Sequence, residues 1–352
     1  MSDQENTSNQ SRTQNFINNL LNMDSIKVIQ IGAGSMGRRR IRNLKHIGIN
    51  NIDCYDIRNE RAIHVAGMYG VNPIREFDDI DWQGYTHLII STPPDVHMQY
   101  AKIGIKNSLN TFIEASVTNE DVSDVIDLYN RKEKKFLVAP SCTMRFDPII
   151  IQTKEILESN QFGKVLNVNH YFGQYLPDWH PYEGIRDFYV SNRQTGAARE
   201  IVAFDLVYLT WLFGELSRFN GFTINTGILG VDIDDIYSFN AITSRKIALQ
   251  VTIEVLARKS IRETRVICEK GYMLIDNVKG VLEVFDSSSK SWRYFERPQL
   301  SSTFSSEEMY VRELKCFIDS TLGKEVFPYT LEEDLRVLNT LVSVESNCLR
   351  IS

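Results

Sequence analysis

The clearest chemical signal in this chain is Gly32-Ala33-Gly34-Ser35-Met36-Gly37, a G-x-G-x-x-G hexad. It follows the apolar run Ile26–Ile31 and opens a segment with helical spacing, the strand–turn–helix context that gives this motif its weight. Gly32 permits a tight turn, Gly34 lets the backbone approach a pyrophosphate, and Gly37 lets helix and strand pack closely. The free N–H groups of the first helical turn, from Ser35 and Met36 onward, then face the phosphates. Asp56 stands at the end of the next strand, where a carboxylate accepts hydrogen bonds from the ribose hydroxyls. A helix N-cap is its structural alternative. Together these residues predict a dinucleotide cofactor and favour NAD; Arg58, just past the strand, keeps NADP open through a 2′-phosphate contact.

A second group lies in Leu176-Pro177-Asp178-Trp179-His180-Pro181-Tyr182-Glu183. Aromatic faces such as Trp179 and Tyr182 support the apolar side of a pyranose, and His180 exchanges protons near neutral pH. Arg199 and Glu200 add a cation and a carboxylate to a polar cleft, or else form a surface ion pair of little worth. His180 and Glu200 are therefore the candidate catalytic residues. Trp179, His180, Tyr182, Arg199 and Glu200 are the candidate substrate contacts. No His, Asp or Cys group has ligand spacing, so no metal is predicted.

The elements that must position these groups follow a rhythm. Short apolar strands alternate with helical segments across roughly 26–142, which predicts a doubly wound parallel sheet with helices on both faces. After Met144-Arg145-Phe146-Asp147-Pro148 longer strand-like runs separated by turns take over, which predicts a second α/β domain with an open, mostly antiparallel sheet. The expected organisation is a polar tail over 1–24, a dinucleotide-binding domain over 25–144 and a substrate-binding domain over 145–352. A formal net charge of −6 argues against nucleic acid and anionic membrane as partners. No apolar run is long enough to cross a bilayer. Five scattered cysteines without C-x-x-C spacing fit a reducing compartment, so a cytoplasmic location is expected.

Thr92-Pro93-Pro94-Asp95-Val96-His97 resembles the T-P-P-x-x-H signature of the Gfo/Idh/MocA oxidoreductases, which include glucose–fructose oxidoreductase and inositol dehydrogenase. Asp56-Ile57-Arg58-Asn59-Glu60-Arg61-Ala62, Met144-Arg145-Phe146-Asp147-Pro148 and Trp211-Leu212-Phe213-Gly214-Glu215 resemble further motifs of that family. The resemblance spans nearly the whole chain after the tail. It implies a Rossmann domain followed by an α/β domain, use of NAD or NADP, and a sugar, sugar derivative, nucleotide sugar or cyclitol as substrate. It also implies cofactor contacts from Thr92, Pro93, Pro94, His97, Glu114, Ala115 and Arg145, and a homodimer or homotetramer. The Trp179-His180 segment is similar to members from surface-glycan pathways.

Two departures from the family pattern bear on catalysis. Glu114-Ala115-Ser116 stands where the family has E-K-P, so its substrate-contacting Lys is replaced by Ala115. Glu200 and Phe204 stand where the family has D-x-x-x-H, so a carboxylate remains but the usual acid/base His does not. The sequence therefore supports an NAD(P)-dependent oxidoreductase with a non-standard acid/base set. The competing reading is a catalytically silent dinucleotide-binding sensor or regulator; a third is a redox-neutral enzyme that retains NAD and uses transient oxidation during elimination or epimerisation.

Overall fold

The computed structural model of the protein describes residues 23, 25–133, 135–179, 184–187, 189–298 and 307–351. The expected polar tail lies outside these residues apart from Met23. Strands β1 (Val28–Ile31), β2 (Ile52–Tyr55), β3 (Asn72–Ile74), β4 (His87–Ile90), β5 (Asn110–Ile113) and β6 (Val138–Pro140) form one sheet in the order β3-β2-β1-β4-β5-β6. Every pairing in it is parallel. β1 and β4 are buried along their whole length, which is why both read as continuous apolar runs. Helices α1 (Ser35–His46), α2 (Asn59–Tyr69), α3 (His97–Lys106) and α4 (Val122–Asn130) supply the crossovers. The strand order reverses at β1, so the crevice at the carboxyl ends of β1 and β4 is where an open sheet of this kind takes its ligand.

The chain leaves this sheet through α5 (Pro148–Glu158). Asp147 caps that helix by accepting the Ile149 N–H at 2.9 Å, and Pro148 fills the first position. The second sheet contains β7 (Val165–Gly173), β8 (Leu216–Ile224), β9 (Ile236–Thr243), β10 (Ala248–Glu254), β11 (Ile261–Cys268), β12 (Gly271–Asp276), β13 (Val281–Asp286), β14 (Ser291–Glu296) and β15 (Leu349–Ile351). Its order is β14-β13-β12-β11-β7-β10-β9-β8-β15. The pairings are antiparallel except β7 with β10 and β8 with β15. Helix α6 (Ala198–Phe213), between β7 and β8, is buried over most of its surface and packs on β9 and β10.

Strands β3, β8, β14 and β15 are not legible as strands; β3 is three exposed or half-buried residues around Pro73. β8 carries Ser, Arg, Asn and Gly and its register breaks between Ser217 and Asn220. β14 and β15 are exposed edge strands, so neither shows a buried alternation.

Two last helices return to the first sheet. Phe317 of α7 (Glu308–Thr321) sets its ring 5.5 Å from Phe112 of β5, and Thr321 Oγ1 lies 3.0 Å from His87 Nε2 of β4. α8 (Leu331–Asn347) packs against α4 and α6. The change of sheet falls near residue 144, yet the chain beyond it completes the packing of the parallel sheet. Among the described residues no helix is long and apolar enough to cross a membrane.

Candidate active site

A cleft of about 1410 Å³ runs from the carboxyl ends of β1, β2, β4 and β5 to the facing side of α6 and β11. A pocket for one drug-sized ligand measures roughly 300–1,000 Å³, so this space accommodates a dinucleotide and a second, smaller molecule.

The cofactor end is built by the glycine hexad. Gly32 has φ +91°, a left-handed conformation that turns the chain from β1 toward α1. A Cβ on Gly34 would meet no atom within 4 Å, so the backbone there borders open cleft. A Cβ on Gly37 would fall 1.9 Å from the Gly32 carbonyl oxygen, so only glycine lets α1 approach the turn this closely. The N-cap Gly34 supplies no side-chain cap and the first turn of α1 holds no acid, a helix start whose dipole favours phosphate. Asp56 Oδ2 accepts the Ala33 N–H at 2.7 Å and Oδ1 accepts the Arg58 N–H at 2.8 Å. These bonds fix the carboxylate at the cleft wall with lone pairs left for a ribose diol. Arg58 lines the cleft beside it. An open glycine cradle, an uncapped helix and an anchored acid fit a dinucleotide.

Thr92, Pro93, Pro94 and His97 line the middle of the cleft. His97 Nε2 donates to the Thr92 carbonyl at 2.9 Å, which ties the Pro-Pro turn to the start of α3. Burial lowers the His97 pKa, so the ring is neutral at pH 7 and Nδ1 is a bare acceptor with no partner among the described residues. Glu114 and Ala115 follow β5. Glu114 accepts from Arg40 Nε at 2.5 Å and from Arg40 Nη2 at 2.9 Å. Arg40 is fully buried and also reaches Glu313 of α7 at 2.8 Å. Glu313 in turn accepts from Ser141 and Thr143 hydroxyls and the Cys142 N–H. Arg40 therefore ties α1 to β5 and α7 from within the interior.

The substrate end is lined by Trp179, Tyr189, Glu200, Phe204 and Arg262. Tyr189 OH donates to Glu200 Oε1 at 3.1 Å. The other oxygen, Oε2, is enclosed and has no partner among the described residues, although the stem of the residue is partly exposed. Burial lifts the Glu200 pKa to about 7, against the lowering effect of the tyrosine bond. Burial, then the Glu200 carboxylate, hold the Tyr189 hydroxyl well above its ordinary range. Trp179 Nε1 is buried without a partner among the described residues. Arg262 lies over the Phe172 and Phe204 rings, 4.6 and 5.5 Å from their centroids.

Three of the candidate residues do not line the cleft. Gly37 is buried behind the turn. Arg145 points into the interior, donating to the Val207 and Pro328 carbonyls and to Glu333 at 2.7 Å. Four of its five donors bond Val207 of α6, Pro328 and Glu333 of α8, so the group braces the interior instead of reaching the cleft. Arg199 is likewise held by Glu345, at 2.7 Å, and by the Val117 and Gln194 carbonyls. It is neither a cleft lining nor a surface pair with Glu200. His180 and Tyr182 lie outside the described residues. Sequence reasoning missed Tyr189 and Arg262. Neither lies in a motif, and no spacing links them to Glu200. Among the described residues no group of three or more His, Cys, Asp or Glu is arranged to hold a metal ion.

Comparison with known proteins agrees with this layout. Residues 26–139 match the Gfo/Idh/MocA model described as an oxidoreductase family with an NAD-binding Rossmann fold, and residues 150–274 match the Gfo/Idh/MocA C-terminal domain. An uncharacterized oxidoreductase, YhhX, from Escherichia coli strain K12 is 28% identical over 91 residues. That match spans 26% of this chain and only 26% of the relative. A levoglucosan dehydrogenase in complex with NADH and L-sorbose superposes with a TM-score of 0.80 at 16% identity, covering 92% of this chain and 96% of that one. UDP-N-acetylglucosamine 3-dehydrogenase from Acidithiobacillus ferrooxidans gives 0.73 at 16% identity, covering 92% and 97%. At such identity these structures speak to the fold alone.

Proposed function

Because the chain belongs to the Gfo/Idh/MocA oxidoreductase family and carries its NAD-binding Rossmann domain, we propose that it interconverts a carbinol and a carbonyl on a sugar, sugar derivative or nucleotide sugar, with Glu200 handling the proton. A bound nicotinamide supplies the two-electron acceptor or donor. Glu200 takes the hydroxyl proton at Oε2 during oxidation and returns it during reduction. Tyr189 holds Oε1 and so fixes the direction in which Oε2 points. Trp179 offers a ring face to the apolar side of the sugar, and its Nε1, without a partner among the described residues, offers a donor to a sugar oxygen. Neutral His97 braces the turn at the middle of the cleft. The observation that carries this reading is the Glu200 carboxyl: enclosed, half-satisfied, in the cleft, and poised near pH 7. Ala115 and Phe204 offer no proton, which leaves Glu200, with His180 as its candidate assistant.

The test is nicotinamide absorbance recorded across a panel of sugars and nucleotide sugars, from about pH 5 to 9, for the native protein and Glu200→Gln. Oxidation should rise through pH 7 as Glu200 loses its proton. The variant should lose that inflection and run roughly 10²–10⁴-fold slower. Equal rates with an unchanged profile would remove Glu200 from the chemistry. The loss of both family proton-handling side chains, at Ala115 and Phe204, favours a second reading as a cofactor-dependent sensor. Ligand binding with no absorbance change for any compound would select it. The proposal includes cytoplasmic residence and a homodimer or homotetramer without nucleic acid; light scattering tests the assembly.

A further inference from the structure

Arg262 is a charged group in the cleft that the proton chemistry above does not use. It projects from β11, more than fifty residues along the chain from Glu200, and its side chain is 15% exposed. Its guanidinium carbon lies 4.6 Å from the Phe172 ring centroid and 5.5 Å from that of Phe204, within cation–π range of both. Little satisfies its donors. Nη1 lies 3.7 Å from the Met144 sulfur, a weak acceptor. Nη2 lies 3.3 Å from Asp205 Oδ1, yet among the described residues that oxygen makes no aligned hydrogen bond and Nε is buried without a partner. The second Asp205 oxygen is occupied by His170 Nε2 at 2.9 Å, and His170 Nδ1 meets Thr264 Oγ1 at 2.8 Å. Asp205 is the one carboxylate within ion-pair distance of Arg262 among the described residues, and its remaining bonding is committed behind the cleft wall.

A guanidinium that lines the cleft beside two aromatic rings, with one thioether and one unaligned carboxylate oxygen as its polar neighbours, keeps donor capacity for a further acceptor. We propose that Arg262 anchors an oxyanion on the substrate, a carboxylate or a phosphate, so that the preferred substrate is an anionic sugar and not a neutral one. This rests on the oxidoreductase reading only in taking the same cleft as the substrate site. The two acceptor oxygens of such a group match the two-pronged geometry of the guanidinium, which neutral hydroxyls match less well. Phe204 takes on a role in this arrangement. A histidine at that position, once protonated, would set a second cation against Arg262; a phenyl ring instead offers its negative face.

The probes are glucose, glucuronate and glucose 6-phosphate, titrated onto the NADH-loaded protein by calorimetry at low and high salt. At least one anionic compound should bind tenfold or more tightly than glucose, and the advantage should shrink with salt. The carboxylate and phosphate arms decide which oxyanion is preferred. Arg262→Gln should erase a roughly ten- to hundredfold preference, while Arg262→Lys keeps part of it and NADH affinity is unchanged in both. If Arg262→Gln fails to fold, the charge preference of the native protein and its salt dependence still decide. Glucose binding as well as both anions, no binding of either anion, or a preference that survives in a folded Arg262→Gln protein would each overturn the proposal. Arg262-dependent binding of an anion without any change in nicotinamide absorbance would uphold it and sink the oxidoreductase reading instead.

Discussion

Gly34 and Gly37 lie three residues apart in one motif, and the structure assigns them different failures when each becomes alanine. At Gly37 the new Cβ would stand 1.9 Å from the Gly32 carbonyl oxygen and 2.8 Å from its carbon, roughly 1.5 Å short of ordinary contact. The obstacle is backbone, at the end of a wholly buried strand, so α1 must move off the turn. Overpacking of this kind costs about 1–3 kcal/mol, and more when nothing yields. At about 2–4 °C per kcal/mol for a domain of this size, Gly37→Ala should lower the melting temperature by roughly 2–12 °C. At Gly34 the Cβ meets nothing within 4 Å, and φ −67°, ψ −165° suits any residue. The poorer N-cap and the reduced freedom of the unfolded chain nearly cancel, each being below about 1 kcal/mol. Gly34→Ala should therefore melt within a few degrees of the native protein. Its methyl group would occupy the approach of a phosphate to the helix N–H groups. Losing two charge-assisted bonds of about 1.5–3 kcal/mol each weakens NADH by a hundredfold or more. Thermal melts with and without NADH, plus a fluorescence titration, read both effects. A stable Gly34→Ala protein that binds NADH within about threefold of native would refute the assignment of this turn to the pyrophosphate.

Other predictions test separate parts of the molecule. Asp56→Asn should weaken NADH by roughly ten- to a hundredfold and raise the NADPH/NADH affinity ratio, since Arg58 then faces a 2′-phosphate without a competing carboxylate; an unchanged ratio would count against the ribose role. Arg40→Met strands two buried carboxylates, Glu114 and Glu313, and should cost about 3–5 kcal/mol in denaturant melts at pH 7; a loss below about 1 kcal/mol would show that solvent reaches them. Burial lowers the His87 pKa from 6.5 to about 4, so the unfolded chain binds the extra proton between those values and stability falls as pH drops through this window. The loss between pH 7 and pH 5 should be about 2 kcal/mol, and a His87→Gln protein with the same acid slope would exclude His87 as its source.

The legible part of the site is the part built from neighbours in sequence. The hexad, the acid at the end of β2 and the Thr92–His97 turn each act within a few residues of a strand end, where strand periodicity and glycine placement already imply the geometry. The parallel sheet was readable for the same reason, because buried strands carry unbroken apolar runs. Motif position was a poorer guide to Arg145, and adjacency to Glu200 a poorer guide to Arg199. A side chain's type and register do not reveal which carbonyls and carboxylates surround it after folding, and here those partners come from α6, α8 and the loops near Val117 and Pro328.

Residues 26–139 thus carried their own instructions for a dinucleotide cradle, because close approach and free N–H groups are properties of one turn. The substrate end belongs to the tertiary structure. Glu200 becomes a group poised near pH 7 only when Tyr189 and the cleft walls enclose it, and Arg262 becomes an under-bonded cation only when β11 lies beside β7 and faces α6. Desolvation and Coulomb interaction depend on distances across the fold, and no spacing along the chain encodes them.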